Sequence, residues 1–300
     1  LEGRELCEIG LLAQAGAVGF TDGNKAIADP KVMLRALTYA RIFGRRIIQH
    51  PEEPRLAENG DMNGGESALR LGLTGIPREA EVILLQRDLK LVEMSGGAYH
   101  AAHVSTLEGI DAIRQAKKRG LDVTCDTAPP YFALTEVDVG DYRTFAKVSP
   151  PLRTDTDRRA VIEGLADGTI DAIASDHIPQ DQDTKRVPFA RAAPGIVGLE
   201  TLLPLSLELV HKGHLTITQA LALLTHRPAD VMGLGVGRLT PGSAADFMLF
   251  DLDRPWKIEV AAFASKSKNS PFDGRPVMGR CLRTVVDGRS VFIAETADAA

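Results

Sequence analysis

A repeated order constrains this chain most: a short apolar run, a polar residue, then a segment with helical periodicity. "GAVGFTD" (16–22) precedes "PKVMLRALTYARIFG" (30–44), and "RRIIQH" (45–50) precedes "PREAEVILLQRDLKLVEMSGG" (77–97). "AYHAAHV" (98–104) precedes "STLEGIDAIRQAKKRG" (105–120), "LDVTCD" (121–126) precedes "DTDRRAVIEGLADG" (155–168), and "IDAIASD" (170–176) closes the series. Strands that alternate with helices pair in parallel, because the crossover helix returns the chain to the same edge. The helix limits carry boundary chemistry. Pro77 stands at a start, Gly96 and Gly97 at an end, and Gly120 at the next end. Ser105 and Glu108 have the spacing of a capping box.

The five apolar runs end at Asp22, His50, His103, Asp126 and Asp176. In parallel α/β folds the βα loops converge on the C-terminal strand ends, so that rim carries the chemistry. One aspartate there is often only a helix cap. Five successive endings able to bind a cation or move a proton point to a site. An open sheet would spread them along an edge, whereas a ring brings them to one centre. The expected fold is therefore an α/β TIM-type (β/α)8 barrel, with strands four to eight in this chain and the first three outside it. The barrel is expected over residues 1–235, with edges unpaired where strands are lacking. Two helical segments (198–213 and 216–233) follow the strand series. Residues 236–300 are expected to form the C-terminal part of a small β-sandwich. Its runs are "GRLTPGSAADFMLFDLDRPWKI" (237–258) and "GRCLRTVVDGRSVF" (279–292), with "SKSKNSPFDG" (265–274) as a link.

Composition narrows the function. The 300 residues are 44% hydrophobic and 25% charged, enough for a large core. A net charge of −5 argues against nucleic acid or an anionic membrane as partner. No apolar run reaches the roughly 18 residues that span a bilayer. Cys7, Cys125 and Cys281 are odd in number and far apart, which reads as reduced thiols and a cytoplasmic setting. The first residue is Leu1, so a processed start or a longer parent protein is expected. No G-x-S-x-G elbow, Walker loop or strand-borne G-x-G-x-x-G is found.

His50, His103 and Asp176 make a donor set suited to Zn²⁺, one or two ions, with Asp22 able to bridge a pair. Such a metal would lower the pKa of a bound water toward about 7. Asp176 is the candidate general acid and base. His100, upstream of the strand end, reads as structural. His177 reads as a residue that shapes the site, and His211, His214 and His226 fall in or beside amphipathic helical patterns without a role.

Several stretches resemble the amidohydrolase superfamily and, within it, the dihydroorotases found in many bacteria. They include "AGAVGFTDG" (15–23), "IIQHPEEPRL" (47–56), "YHAAHVST" (99–106) and "VTCDTAPPYFALTE" (123–136). They continue in "KVSPPLRTDTDRRAVIEGLADGTIDAIASDHIPQ" (147–180), "APGIVGLETLLP" (193–204) and "GRLTPGSAADFMLFD" (237–251). The resemblance implies that His50 and His103 bind metal and that Asp176 both binds metal and moves the proton. It implies that Asp22 stands where other branches carry a bridging carbamylated lysine. It places Ser149, Gln180, Pro194 and Gly195 near the substrate, with backbone groups of the "GIVG" loop (195–198) facing a pyrimidine ring. The implied reaction is zinc-dependent interconversion of N-carbamoyl-L-aspartate and dihydroorotate in pyrimidine biosynthesis, by a homo-oligomer acting on a small molecule. The chain departs from the family pattern at "DHIPQ", where Gln180 replaces a histidine. It departs again at Ser149 for an asparagine, at Pro129-Pro130-Tyr131 for Pro-(His/Asn)-His, and at Pro51-Glu52-Glu53 for Cys-Glu-Asp. These departures keep two alternatives open. One is a silent subunit supporting aspartate carbamoyltransferase, and the other an enzyme for a hydantoin or allantoin.

Overall fold

A computed structural model describes residues 3–294. In chain order its first seven strands are β1 (Gly19–Thr21), β2 (Arg46–Gln49), β3 (Met62–Asn63), β4 (Gly75–Ile76), β5 (Ala98–Ala101), β6 (Val123–Thr127) and β7 (Ala172–Ile173). Five of them form one parallel sheet in the order β1-β2-β5-β6-β7. Each crossover therefore advances one place in the same sense, as a winding (β/α) sheet requires. β3 and β4 pair with each other in an excursion between β2 and the next long helix, which the strand–helix alternation does not reveal.

The crossover helices form where apolar periodicity and capping agree. Asp29 caps the helix Pro30–Ile42 by accepting from the Lys31 and Val32 N–H groups at 2.7 and 3.3 Å. Gly96, in the left-handed region, ends the helix Glu79–Ser95, and Gly168 does the same for Asp155–Asp167. Their buried faces (Leu37, Leu85, Val92, Ile113, Leu165) close over Ile47, Tyr99, Val123 and Cys125 of the sheet in one core.

The expected capping box at Ser105 and Glu108 does not form. The cap of Leu107–Lys118 is Thr106, whose Oγ1 accepts from the Gly109 N–H at 3.1 Å. Ser105 is taken instead by the buried Glu81 carboxylate, and Glu108 pairs with Arg78. A buried carboxylate needs every donor within reach, and the helix end loses nothing because Thr106 caps it in place of Ser105.

The run 216–233 is two helices, Ile217–Leu224 and His226–Val231, broken at Thr225. The C-terminal strands are β8 (Phe247–Lys257), β9 (Pro276–Val286) and β10 (Arg289–Ile293), antiparallel in the order β10-β9-β8. β8 begins only at Phe247, because "TPGS" (240–243) precedes it as a turn. Asp287 and Gly288, at φ 48° and 71°, make the two-residue hairpin turn that an Asp-Gly pair favours. Residues 265–274 are more than a link, since Asn269 and Ser270 are buried against the parallel-sheet unit. All three cysteines are free thiols. Among the described residues no helix is long and apolar enough to cross a membrane.

Candidate active site

The sheet delivers its polar endings to one rim. β2 ends at Gln49, so His50 is the first residue past the ladder; Asp176 follows β7 after a short extension. His103 stands two residues beyond Ala101, where the sequence pattern alone would extend the strand through it. Both His103 and Asp176 adopt left-handed backbone, at φ 60° and 45°. Non-glycine residues hold that conformation only where the surroundings over-determine it, and such strain gathers at functional sites. For His103 the determinant is Asp126, whose Oδ1 accepts from the His103 N–H at 2.8 Å.

The side chains converge. His103 Nε2 lies 3.4 Å from Asp176 Oδ1, and the His50 and His103 ring centroids are 6.4 Å apart. Neighbouring strands are about 4.8 Å apart, so a flat sheet would set β5 and β7 roughly 10 Å from each other. The contact across β6 reflects a strongly coiled sheet and rings that lean inward. Ser149, from the loop after β6, completes the group. Its Oγ lies 3.2 Å from His50 Nε2 and donates to Glu52 Oε2 at 3.3 Å.

Burial and neighbouring charges set the protonation states. Burial raises the Asp176 carboxyl above its ordinary value, partly offset by His103 and His50. Burial opposes a charge on His103, but Asp126 and then Asp176 push its pKa up to about 9. Asp126 is buried yet held far below the usual carboxylate range by His103 and His100. A chain of contacts explains this. Thr124 Oγ1 meets His100 Nδ1 at 2.8 Å, and His100 Nε2 meets Asp126 Oδ2 at 2.9 Å. Asp126 Oδ1 then approaches His103 Nδ1 at 2.9 Å, off the line a hydrogen bond needs. His100 is thus a buried support, in line with its structural reading.

The other expected residues divide. Asp22 lies past β1 and lines a separate hollow with Gly3, Phe20, Ile27 and Ile47. Among the described residues no contact joins it to His50, His103 or Asp176. Gln180 Nε2 donates to the Pro194 carbonyl at 2.7 Å, so its side chain ties the loop to itself. The "GIVG" loop is not free backbone. Gly195, Val197 and Gly198 donate their N–H groups to the Lys147 carbonyl, the Asn269 carbonyl and His177 Nδ1. His177 shapes the loop through that bond.

Two residues that the sequence reading quotes without giving them a site role stand here. Tyr131 is buried, donates to the Pro150 carbonyl at 3.0 Å and lies close enough to Asp176 to hold its carboxyl pKa down against burial. Its signal was a phenol directly after a strand-end segment. Arg153, 3% exposed, donates to Ser105 Oγ at 3.0 Å and Asn63 Oδ1 at 2.9 Å, pinning the "SPPLR" segment. Its partners come from β3 and from the loop before the helix Leu107–Lys118, which sequence spacing does not reveal.

The donor set fits a divalent cation in chemistry. Two imidazoles and a carboxylate lie near one rim, with His103 against Asp176, and His50 Nδ1 is buried without a hydrogen-bond partner among the described residues. Among the described residues no three His, Cys, Asp or Glu side chains form a ready-made metal-holding group. The His103 proton would have to leave before that ring could coordinate.

Comparison with known proteins bears on the family and the fold. A family model described as "Amidohydrolase family" matches residues 45–291. A dihydroorotase of Wolbachia sp. subsp. Drosophila simulans (strain wRi) is 47% identical over 289 residues, 96% of this chain and 66% of that protein. One from Desulforapulum autotrophicum is 46% identical over 295 residues, 98% of this chain and 69% of that protein. The chain thus spans about two thirds of the length of these relatives. Among solved structures, an L-hydantoinase (dihydropyrimidinase) from Arthrobacter aurescens superposes with a TM-score of 0.84 at 30% identity, covering 95% of this chain and 66% of that one. A D-hydantoinase from Thermus sp., at 24% identity and a TM-score of 0.82, shares the fold, covering 95% of this chain and 67% of that one. The parallel sheet with its converging strand ends is that of a TIM-type barrel, and the chain belongs to the amidohydrolase family.

Proposed function

We propose that this chain carries the catalytic part of a dihydroorotase, a hydrolase that opens and closes the cyclic amide between dihydroorotate and N-carbamoyl-L-aspartate. The observation that carries the reading is the meeting of His50, His103 and Asp176 at one rim, with His103 Nε2 3.4 Å from Asp176 Oδ1. The dihydroorotase relatives support the substrate, a small molecule of pyrimidine biosynthesis.

His50, His103 and Asp176 would hold the cation, zinc by donor type. When bound, it would polarise the amide carbonyl and favour attack by water. Asp176, with its raised pKa, takes the proton from the attacking water and returns it to the leaving nitrogen. Asp126 holds His103 in orientation, as carboxylates behind ligating histidines do. Ser149 sits beside His50, where the substrate would approach. The test is metal content and dihydroorotate turnover of the full-length gene product. One or two equivalents of zinc with turnover are expected. A protein that binds no metal even when zinc is offered overturns the reading and favours a silent subunit.

The fit to the L-hydantoinase keeps a second cyclic amide in view. Ser149→Asn and Gln180→His separate the two. A gain in dihydroorotate turnover supports the first reading, and a gain only on hydantoins supports the second.

A further inference from the structure

Asn269 lies between β8 and β9, outside any helix or strand, yet it is 2% exposed. Every polar atom of its side chain is engaged. Oδ1 accepts from the Gln180 N–H at 3.1 Å, and Nδ2 donates to the Ile178 and Gly195 carbonyls, both at 3.0 Å. Its own carbonyl accepts from the Val197 N–H at 3.0 Å. These bonds reach both lips of the loop that leaves Asp176. One lip is 177–180, and the other, 194–198, returns beside it. The lips also join directly, through the Ile178 N–H to the Ile196 carbonyl at 2.7 Å and Gln180 Nε2 to the Pro194 carbonyl at 2.7 Å.

The segment that presents Asn269 is itself fixed. The Glu200 carboxylate accepts from the Ala264 and Ser265 N–H groups at 2.9 and 3.1 Å, and Arg143 donates to the Pro271 carbonyl. A planar head with one acceptor and two donors is what the two lips require. Aspartate has no donor to offer, and serine is too short to reach three partners. The loop starts at Asp176, whose φ of 45° needs restraint on the chain that follows.

We propose that Asn269 is a positioning residue of the site. It locks the loop bearing Gln180, Pro194 and Gly195 at a fixed distance from Asp176, so the substrate pocket takes its shape from the C-terminal segment. The proposal rests on the amidohydrolase reading of the site for its catalytic consequence, but not for the latch itself.

The test uses the full-length gene product with Asn269→Ala and Asn269→Asp. The aspartate keeps the acceptor for Gln180 but turns an oxygen toward two carbonyls, and it carries the test if the alanine variant does not fold. Two readouts are taken: amide hydrogen exchange at Ile178, Gln180 and Val197, and steady-state kinetics on dihydroorotate. Exchange at Ile178 is expected to quicken about tenfold in both variants as the lips part. KM is expected to rise about tenfold while kcat changes less than about threefold, because the lips that part lie beyond Asp176, whose carboxylate keeps its contact with His103. Unchanged exchange overturns the latch. Faster exchange with unchanged KM overturns the positioning role and leaves only loop packing. A wild-type protein without dihydroorotate turnover counts against the functional reading, and the exchange result still decides the latch.

Discussion

Asp126 holds its neighbours from three directions: the His103 N–H at 2.8 Å, His103 Nδ1 at 2.9 Å and His100 Nε2 at 2.9 Å. If its charge is what raises His103, then Asp126→Asn lowers the His103 midpoint from about 9 toward the ordinary 6.5. An imidazole titration followed by NMR reads this, and an unmoved midpoint would remove Asp126 from that role. Lys185 offers a second titration, away from the site. Burial, with Lys147 nearby, depresses its pKa from 10.5 to about 8. Among the described residues its ammonium donates only to carbonyls, those of Thr144 and Lys147 at 3.1 and 3.3 Å. Between those two pH values the unfolded chain binds the proton and the folded chain does not, so stability rises with pH there. The term is fully favourable above 10.5 and is lost as pH falls through 8. Lys185→Met is expected to flatten that rise in thermal midpoints measured across the window. At this scale the sequence was informative where a residue's role depends on its place in one strand. His50 and Asp176 were legible as strand endings. The displacement of His103 into left-handed backbone was not, because it depends on a carboxylate from the next strand.

At the scale of elements, the parallel series and its helices were legible because each has its own period and boundary residues. What sequence spacing misread was competition between elements. Ser105 and Glu108 match a cap locally, but Glu81, from the preceding helix and 1% exposed, claims Ser105 and Thr106. Its carboxylate accepts from both N–H groups and both hydroxyls and lies 3.6 Å from Arg153 Nη2. Glu81→Ala therefore leaves several buried donors and one buried guanidinium group without their anion. The expected loss is about 3 kcal/mol or more, read from urea unfolding. Ser105→Ala removes one of those donors and is expected to cost about 1 kcal/mol. Equal losses in the two variants would contradict Glu81 as the hub.

At the scale of the whole molecule, the small antiparallel sheet packs on the parallel-sheet unit through Val277 and Trp256, and through two contacts with one helix that can be tested singly. Arg275, just before β9, pairs in two-pronged fashion with Glu208 of the helix Leu202–His211, at 2.9 and 2.8 Å. Gly279, within β9, sits where a Cβ would lie 2.3 Å from Leu207 Cδ1, and its φ of 95° already disfavours any side chain. Nothing in the run "GRCLRTVV" marks that glycine as a contact point, because its need for smallness comes from a helix about seventy residues earlier. Gly279→Ala is expected to destabilise the protein by roughly 2–4 kcal/mol, from overpacking and backbone strain together. Leu207 is fully buried, so it cannot swing into solvent to relieve the contact. Leu207→Ala alone leaves a cavity and costs about 2–5 kcal/mol. In the double variant the alanine methyl enters space that the leucine vacated. The two losses should then fall short of their sum by about 1 kcal/mol or more in a thermodynamic cycle. Strict additivity would mean that the cost at Gly279 is backbone strain alone, and that the small sheet does not dock through this contact.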